Sequence, residues 1–140
     1  MIDYSAVRAK LADIATTAAE SVSGRVAVYP APPSTLTAPQ FVLIGQPNVT
    51  GFEVQPCIDR ITWAVAAVVD VGGSGNFAQA QTALEQLWPA IADGYREATE
   101  QDQTLGGLVV AAEVTRAEFG EISVAGTQTP AQNIILTLHG

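Results

Sequence analysis

The chain has 140 residues, 48% of them hydrophobic and only 14% charged, with six Lys plus Arg against fourteen Asp plus Glu and a formal net charge of −8. That length fits one domain with enough apolar material for a single core. The six cations are scattered, so no basic stripe exists to track a phosphate backbone and direct DNA or RNA binding is not expected.

Cys57 is the one cysteine, which excludes an internal disulfide, and it lacks the neighbours of a zinc site. The N-terminal MIDYSAVRAK has no apolar stretch of the secretory kind. Residues 61–69 form the longest strongly apolar run, about half of what a membrane helix needs. The chain is therefore expected to be made in the cytosol and to have no membrane partner. Average domains carry about 25% charged residues. Two readings of the deficit here stay open. A partner covers part of the surface, or Ala, Thr, Gly and Gln fill it.

Val7, Leu11, Ile14, Ala18 and Val22 recur at steps of three and four and predict a first helix. Asp3 or Ser5 suits its N-cap and Gly24 its C′ position. Residues 25–29 read as a short strand with Val26 and Val28 on one side, ended by Pro30. Residues 31–39 hold three prolines and read as a loop. Residues 41–44 form a short apolar strand, and residues 46–56, punctuated by Pro47, Gly51 and Pro56, read as irregular. Residues 58–71 give the clearest strand. Ile61, Trp63, Val65, Ala67, Val69 and Val71 lie on one face, and the other face turns apolar towards its end, as expected of a central strand.

Gly72-Gly-Ser-Gly75 breaks that strand, and Asn76 with Gln79 resembles a capping box. The second helix carries Phe77, Ala80, Leu84, Leu87, Trp88, Ile91 and Tyr95 on its stripe. Pro89 lies inside it and predicts a kink or restart, and the helix is expected to end by Ala98. Residues 108–118 alternate as a strand, and residues 121–125 extend it. Phe119-Gly120 reads as a bulge or hairpin corner, and residues 126–130 as a turn. Residues 131–138 form the last strand, with Ile134, Leu136 and Leu138 on one face. The expected fold is a single α+β domain spanning residues 1–140. Its order is α-β-β-β-α-β-β, with a mostly antiparallel sheet and two helices packed on one face.

The sequence assembles no catalytic constellation, and neither enzyme activity, cofactor nor metal is expected. His139 is the one histidine and is penultimate, a poor place for a preorganised base. Gly72 to Gly75 stand where phosphate loops occur, but the Gly-Lys-Ser/Thr ending and the G-x-G-x-x-G spacing are both missing. Glu113, Glu118 and Glu121 read as a solvated strand face, because no residue pattern gives two carboxylates the unlike environments of an acid–base pair. Trp63 and Trp88 read as packing anchors that face each other.

The loops are more informative. Segments 30–39, 46–56 and 100–105 are long for a chain of this size, a fourth polar segment with Gly and Pro runs over 125–132, and long loops in compact domains tend to be functional. Plain solvent-exposed connection is the alternative. Candidate protein-contact residues are Pro30, Pro32, Pro33, Thr35, Leu36, Gln46, Asn48, Phe52, Gln128 and Pro130.

Over nearly its whole length the chain resembles the tail terminator (tail-to-head joining) proteins of long-tailed bacteriophages. The features that carry the resemblance are the N-terminal helix, the strand with its exit Val28-Tyr-Pro-Ala-Pro-Pro33, and the short strand at Phe41. The strand at 57–71, the Gly/Asn break at 72–76, the helix at 84–95 and two closing strands separated by a Gly/Pro tip complete them. The resemblance implies a homo-oligomeric ring, a hexamer, that caps the tail tube and stops polymerisation of the major tail protein. It also implies contact with a head–tail connector or stopper protein of the neck, with genomic DNA passing through the lumen without specific binding. The alternatives are another connector component, such as a head-completion or stopper protein, and a non-enzymatic ligand-binding or adaptor module.

Overall fold

Asp3 accepts the Ala6 backbone N–H at 3.1 Å and starts the first helix, α1 (Tyr4–Ala19). Steps of four bury Val7, Leu11, Ala15 and Ala19 against the sheet. Ile14 and Ala18, expected on the same stripe, turn partly outward beside the second helix. This is a computed structural model, and it describes residues 2–22, 25–33, 38–50, 60–70, 77–124 and 127–140. The remaining elements are β1 (Val26–Tyr29), β2 (Gln40–Thr50), β3 (Arg60–Val69), α2 (Phe77–Gln101), β4 (Ala111–Val124) and β5 (Thr127–His139). Gly24, Cys57, Asn76 and the segment Gly72 to Gly75 lie outside the described residues.

The five strands form one sheet in the order β1-β2-β3-β5-β4. β1 is parallel to β2, and every other neighbouring pair is antiparallel. The architecture is therefore α+β with the expected element order and a mostly antiparallel sheet. Both helices pack on the same face. There Val42, Ile44, Ile61, Trp63, Val65, Ile134, Leu136 and Leu138 meet Val7 and Leu11 of α1 and Leu84, Leu87, Ile91 and Tyr95 of α2. A smaller buried cluster on the opposite face joins Phe41, Ala66, Val68 and Ala131, which explains why β3 turns apolar on both sides towards its end.

The helices touch closely. A Cβ built on Gly94 would stand 2.5 Å from the Ala18 Cβ, so only glycine lets α2 cross here. At the next residue of α2, the buried Tyr95 hydroxyl donates to the Leu11 carbonyl at 2.6 Å. Burial pushes that phenol above its ordinary pKa.

Four local expectations need correction. β2 does not stop at Ile44 but runs to Thr50 through a bulge between Ile44 and Pro47. The bulge absorbs the proline, which has no N–H to give a regular ladder. α2 continues through Pro89 to Gln101 without a restart. Its missing hydrogen bond falls on Glu85, on the exposed side, where water can serve that carbonyl. β4 is one strand of fourteen residues, and its irregularity lies between Val114 and Arg116, not at Phe119-Gly120. Gly120 keeps ladder register opposite Ala131, and the Asn133 amide occupies the space a Cβ would need. Trp63 takes its ring partner from α1, at Tyr4, with centroids 6.4 Å apart, while Trp88 is half-buried on α2.

Candidate functional site

The candidate contact residues fall at two ends of the sheet. Pro30 follows β1 and is exposed, as is Pro32; Pro33 is half-buried. Gln46 and Asn48 are exposed on β2, so they belong to a strand and not to a loop. Gln128 and Pro130 sit in β5, also in regular pairing, opposite Ser123 and Glu121. Thr35, Leu36 and Phe52 lie outside the described residues. Asn48 pairs beside Thr62 near the start of β3, whereas Gln128 and Pro130 lie beyond its end, where Val68 pairs Ala131. Sequence distance and sheet topology thus separate these two groups.

Pro30 and Gln46 are brought together by Arg8, a residue the helical pattern marks only as off-stripe. The guanidinium of Arg8 donates to the carbonyls of Pro30 (2.7 Å), Gly45 (3.0 Å) and Ile44 (3.2 Å), and to the Gln46 side-chain oxygen (3.1 Å). It stands 5.3 Å over the Trp63 ring, and the Trp63 indole N–H also donates to the Gly45 carbonyl, at 2.9 Å. A β-bulge exposes carbonyls that its partner strand cannot satisfy, and here a planar fork of donors collects them. The cluster fixes the exit of β1 to the bulge of β2. Nothing in the local sequence around Arg8 announces this, because its partners lie 22 to 38 residues away.

At the C-terminal end of α2, Asp102 organises the turn into β4. Its carboxylate accepts the Thr104 hydroxyl (2.6 Å), the Thr104 N–H (3.0 Å) and the Gly106 N–H (2.8 Å). These hydrogen bonds hold the Asp102 carboxyl below the ordinary carboxylate range, the Thr104 hydroxyl contributing most. Leu105, Gly106 and Gly107 all have positive φ, at 51°, 76° and 86°. The turn is therefore compact, and Leu105 is buried beneath it. Its amides are used internally and leave no anion-binding nest.

His139 is not a loose chain end. It pairs with Arg60 on one side and Ala111 on the other. Glu113, Glu118 and Glu121 are exposed, and Glu118 is paired with Arg116 at 3.1 Å. Among the described residues no three of His, Cys, Asp and Glu converge as a metal site. No described helix is long and apolar enough to cross a membrane.

Among the described residues, two open depressions stand out. One, of about 640 Å³, runs between α1 and α2 above the Ala18–Gly94 contact, with Lys10, Asp13, Asp93 and Glu97 on its rims. The other, of about 470 Å³, lies between the end of α1 and the outer side of β1. Ala19, Val22, Val26 and Val28 wall it, and Glu20 and Arg25 stand at its rim. At the far edge of the sheet, Phe119 of β4 is 60% exposed. That aromatic among Glu118 and Glu121 was the available sequence signal for an outward-facing apolar group, masked by the adjacent glycine.

Compared with known proteins, the chain matches no family model and no curated protein. The fold defines it as an α+β protein with one helix-covered sheet, whose terminal strands among the described residues are β1 and β4.

Proposed function

We propose that this chain is a structural virion protein of a long-tailed bacteriophage. It forms a ring, hexameric as in the family it resembles, that caps the tail tube and ends tube polymerisation. The ring then joins the tail to the head–tail connector or stopper protein. Its place is the tail–head junction, reached after assembly in the host cytoplasm.

The observation that carries this reading is that, among the described residues, β1 and β4 stand at the two ends of the sheet and each pairs with a strand on one side, with the β4–β5 hairpin outrunning β3. An open edge is a row of unused backbone donors and acceptors, and a natural monomer blunts or covers it. Closed cyclic symmetry satisfies both edges of every copy at once. The net charge of −8 fits a lumen through which DNA moves without being held.

Electron microscopy of the purified chain mixed with tail tubes tests the reading. Rings at one end of the tube are expected, and loss of the gene should give overlong, headless tails. Normal tail length on loss of the gene overturns termination, and labelling elsewhere in the neck would favour another connector component. A chain that stays monomeric and ignores tubes would favour the adaptor reading, for which the groove between α1 and α2 is the best-shaped feature.

A further inference from the structure

The two edges of the sheet differ in what they offer. β4 presents Phe119, exposed, with Glu121 two residues on along the same face. β1 presents a depression walled by Val22, Val26 and Val28, with Arg25 at its rim. Phe119 pairs opposite Gln132 and so shares the face of Ala117 and Ile134, the helix-covered side. Val26 and Val28 pack against that same helix-side core. The projecting aromatic and the apolar depression therefore lie on one face, at opposite edges.

Strand direction completes the match. Taking β1 as up, β2 is up, β3 down, β5 up and β4 down. A second copy placed beside the first without being flipped brings β4 against β1 antiparallel. Setting Phe119 opposite Val28 puts Glu118 opposite Tyr29 and Glu121 opposite Val26, one residue from Arg25. The next position, Ala117, would fall opposite Pro30, which has no N–H to give, so the joint ends there. All four residues of β1 are used.

We infer that the subunits join head to tail by strand addition, β4 of one copy pairing with β1 of the next and Phe119 seating in the Val22–Val26–Val28 depression. The contact is heterologous, so it closes as a ring or continues as a filament. This inference takes closure from the ring reading, but the contact itself stands apart from tail tubes. Side by side, six such five-stranded sheets give about 30 strands and, at about 4.8 Å each, a circumference of roughly 144 Å. The helices of every copy then face the same way, inward or outward.

The test uses two full-length chains, both carrying Cys57→Ser, one with Val28→Cys and the other with Phe119→Cys. Each is mixed with the other and, separately, left alone, at high concentration and with tail tubes, and treated with a short bis-maleimide. Circular dichroism matching that of the parent establishes that each is folded. Cross-linked pairs are expected only in the mixture, and a chain carrying both cysteines should give a ladder ending at the ring size. Phe119→Ser in the unaltered background should weaken association tenfold or more, as loss of a central aromatic anchor does. Cross-linking of Phe119→Cys to itself would overturn the inference in favour of a two-fold β4 joint. Rings on tubes without cross-linking in the mixture would overturn the joint and leave the ring reading standing. Neither rings nor cross-links under any condition would overturn both.

Discussion

Replacing Gly94 with alanine sets two local effects against each other. In an isolated helix the change is favourable by about 1 kcal/mol, because glycine loses more backbone freedom than alanine. In this protein the new methyl would meet the Ala18 Cβ at 2.5 Å, more than an ångström inside normal contact. Neither backbone can yield without opening the α1–α2 crossing, which the Tyr95–Leu11 hydrogen bond also holds. Overpacking of this kind costs about 1–3 kcal/mol, so the net expectation is destabilisation by about 1 kcal/mol. Ala18→Gly alone should cost about 1 kcal/mol in helix propensity. The double variant Ala18→Gly/Gly94→Ala moves the methyl from one helix to the other and should return close to the parent. The two changes thus couple by about 2 kcal/mol, well outside the additivity of independent sites. Urea unfolding of the four proteins measures this directly, and each kcal/mol corresponds to about 4 °C in Tm. A Gly94→Ala protein more stable than the parent, or a double variant no better than Gly94→Ala, would refute the close crossing.

Arg8→Met keeps the aliphatic stem but strips the donors from three carbonyls, and should destabilise by about 2–3 kcal/mol in urea unfolding. Arg8→Lys, which keeps a charge but not the fork, should recover less than half of the loss. Gly45→Ala would drive a methyl to 2.7 Å from the Ala64 carbonyl oxygen, a backbone atom in the neighbouring strand, and should cost about 2 kcal/mol or more by the same assay. Asp102 has a folded-state pKa below its unfolded one, so its stabilisation is full above the unfolded value and fades as pH falls through the folded value. Hydrogen exchange at the Gly106 amide should accelerate, beyond the intrinsic pH effect, on acidification below about pH 4. An Asp102→Ala protein should show fast exchange throughout, and identical protection in the two proteins would refute the assignment.

The apolar periodicities carried the element types because they are local. Alternation at 61–69 and the three-and-four spacing at 84–95 each reflect a face that the final structure buries. The second half of β2 was illegible for the opposite reason. Gln46 and Pro47 look like loop residues until Arg8 and Trp63 arrive from distant segments to satisfy the carbonyls of the bulge. Pro89 misled in the same way: its local penalty is real, but the buried side chains Leu84, Leu87, Ile91 and Tyr95 hold both halves of α2 to one sheet. Of the candidate contact residues, Pro30 and Gln46 do meet through Arg8, while Gln128 and Pro130 stand apart at the other end of the sheet. No pattern within a single segment shows that β5, not β4, sits beside β3, since that choice is made by pairing across the chain.

That choice has a kinetic consequence. β5 is made after both β3 and β4 yet lies between them, so β3 keeps one flank bare while α2 and β4 leave the ribosome. The core facing Ile134, Leu136 and Leu138 closes only when the final hairpin slots in. Pairing of such distant segments is slow, and an unpaired flank is open to wrong neighbours until then. Yield in cells should therefore depend on holdase chaperones and on growth temperature more than the stability of the finished protein would indicate.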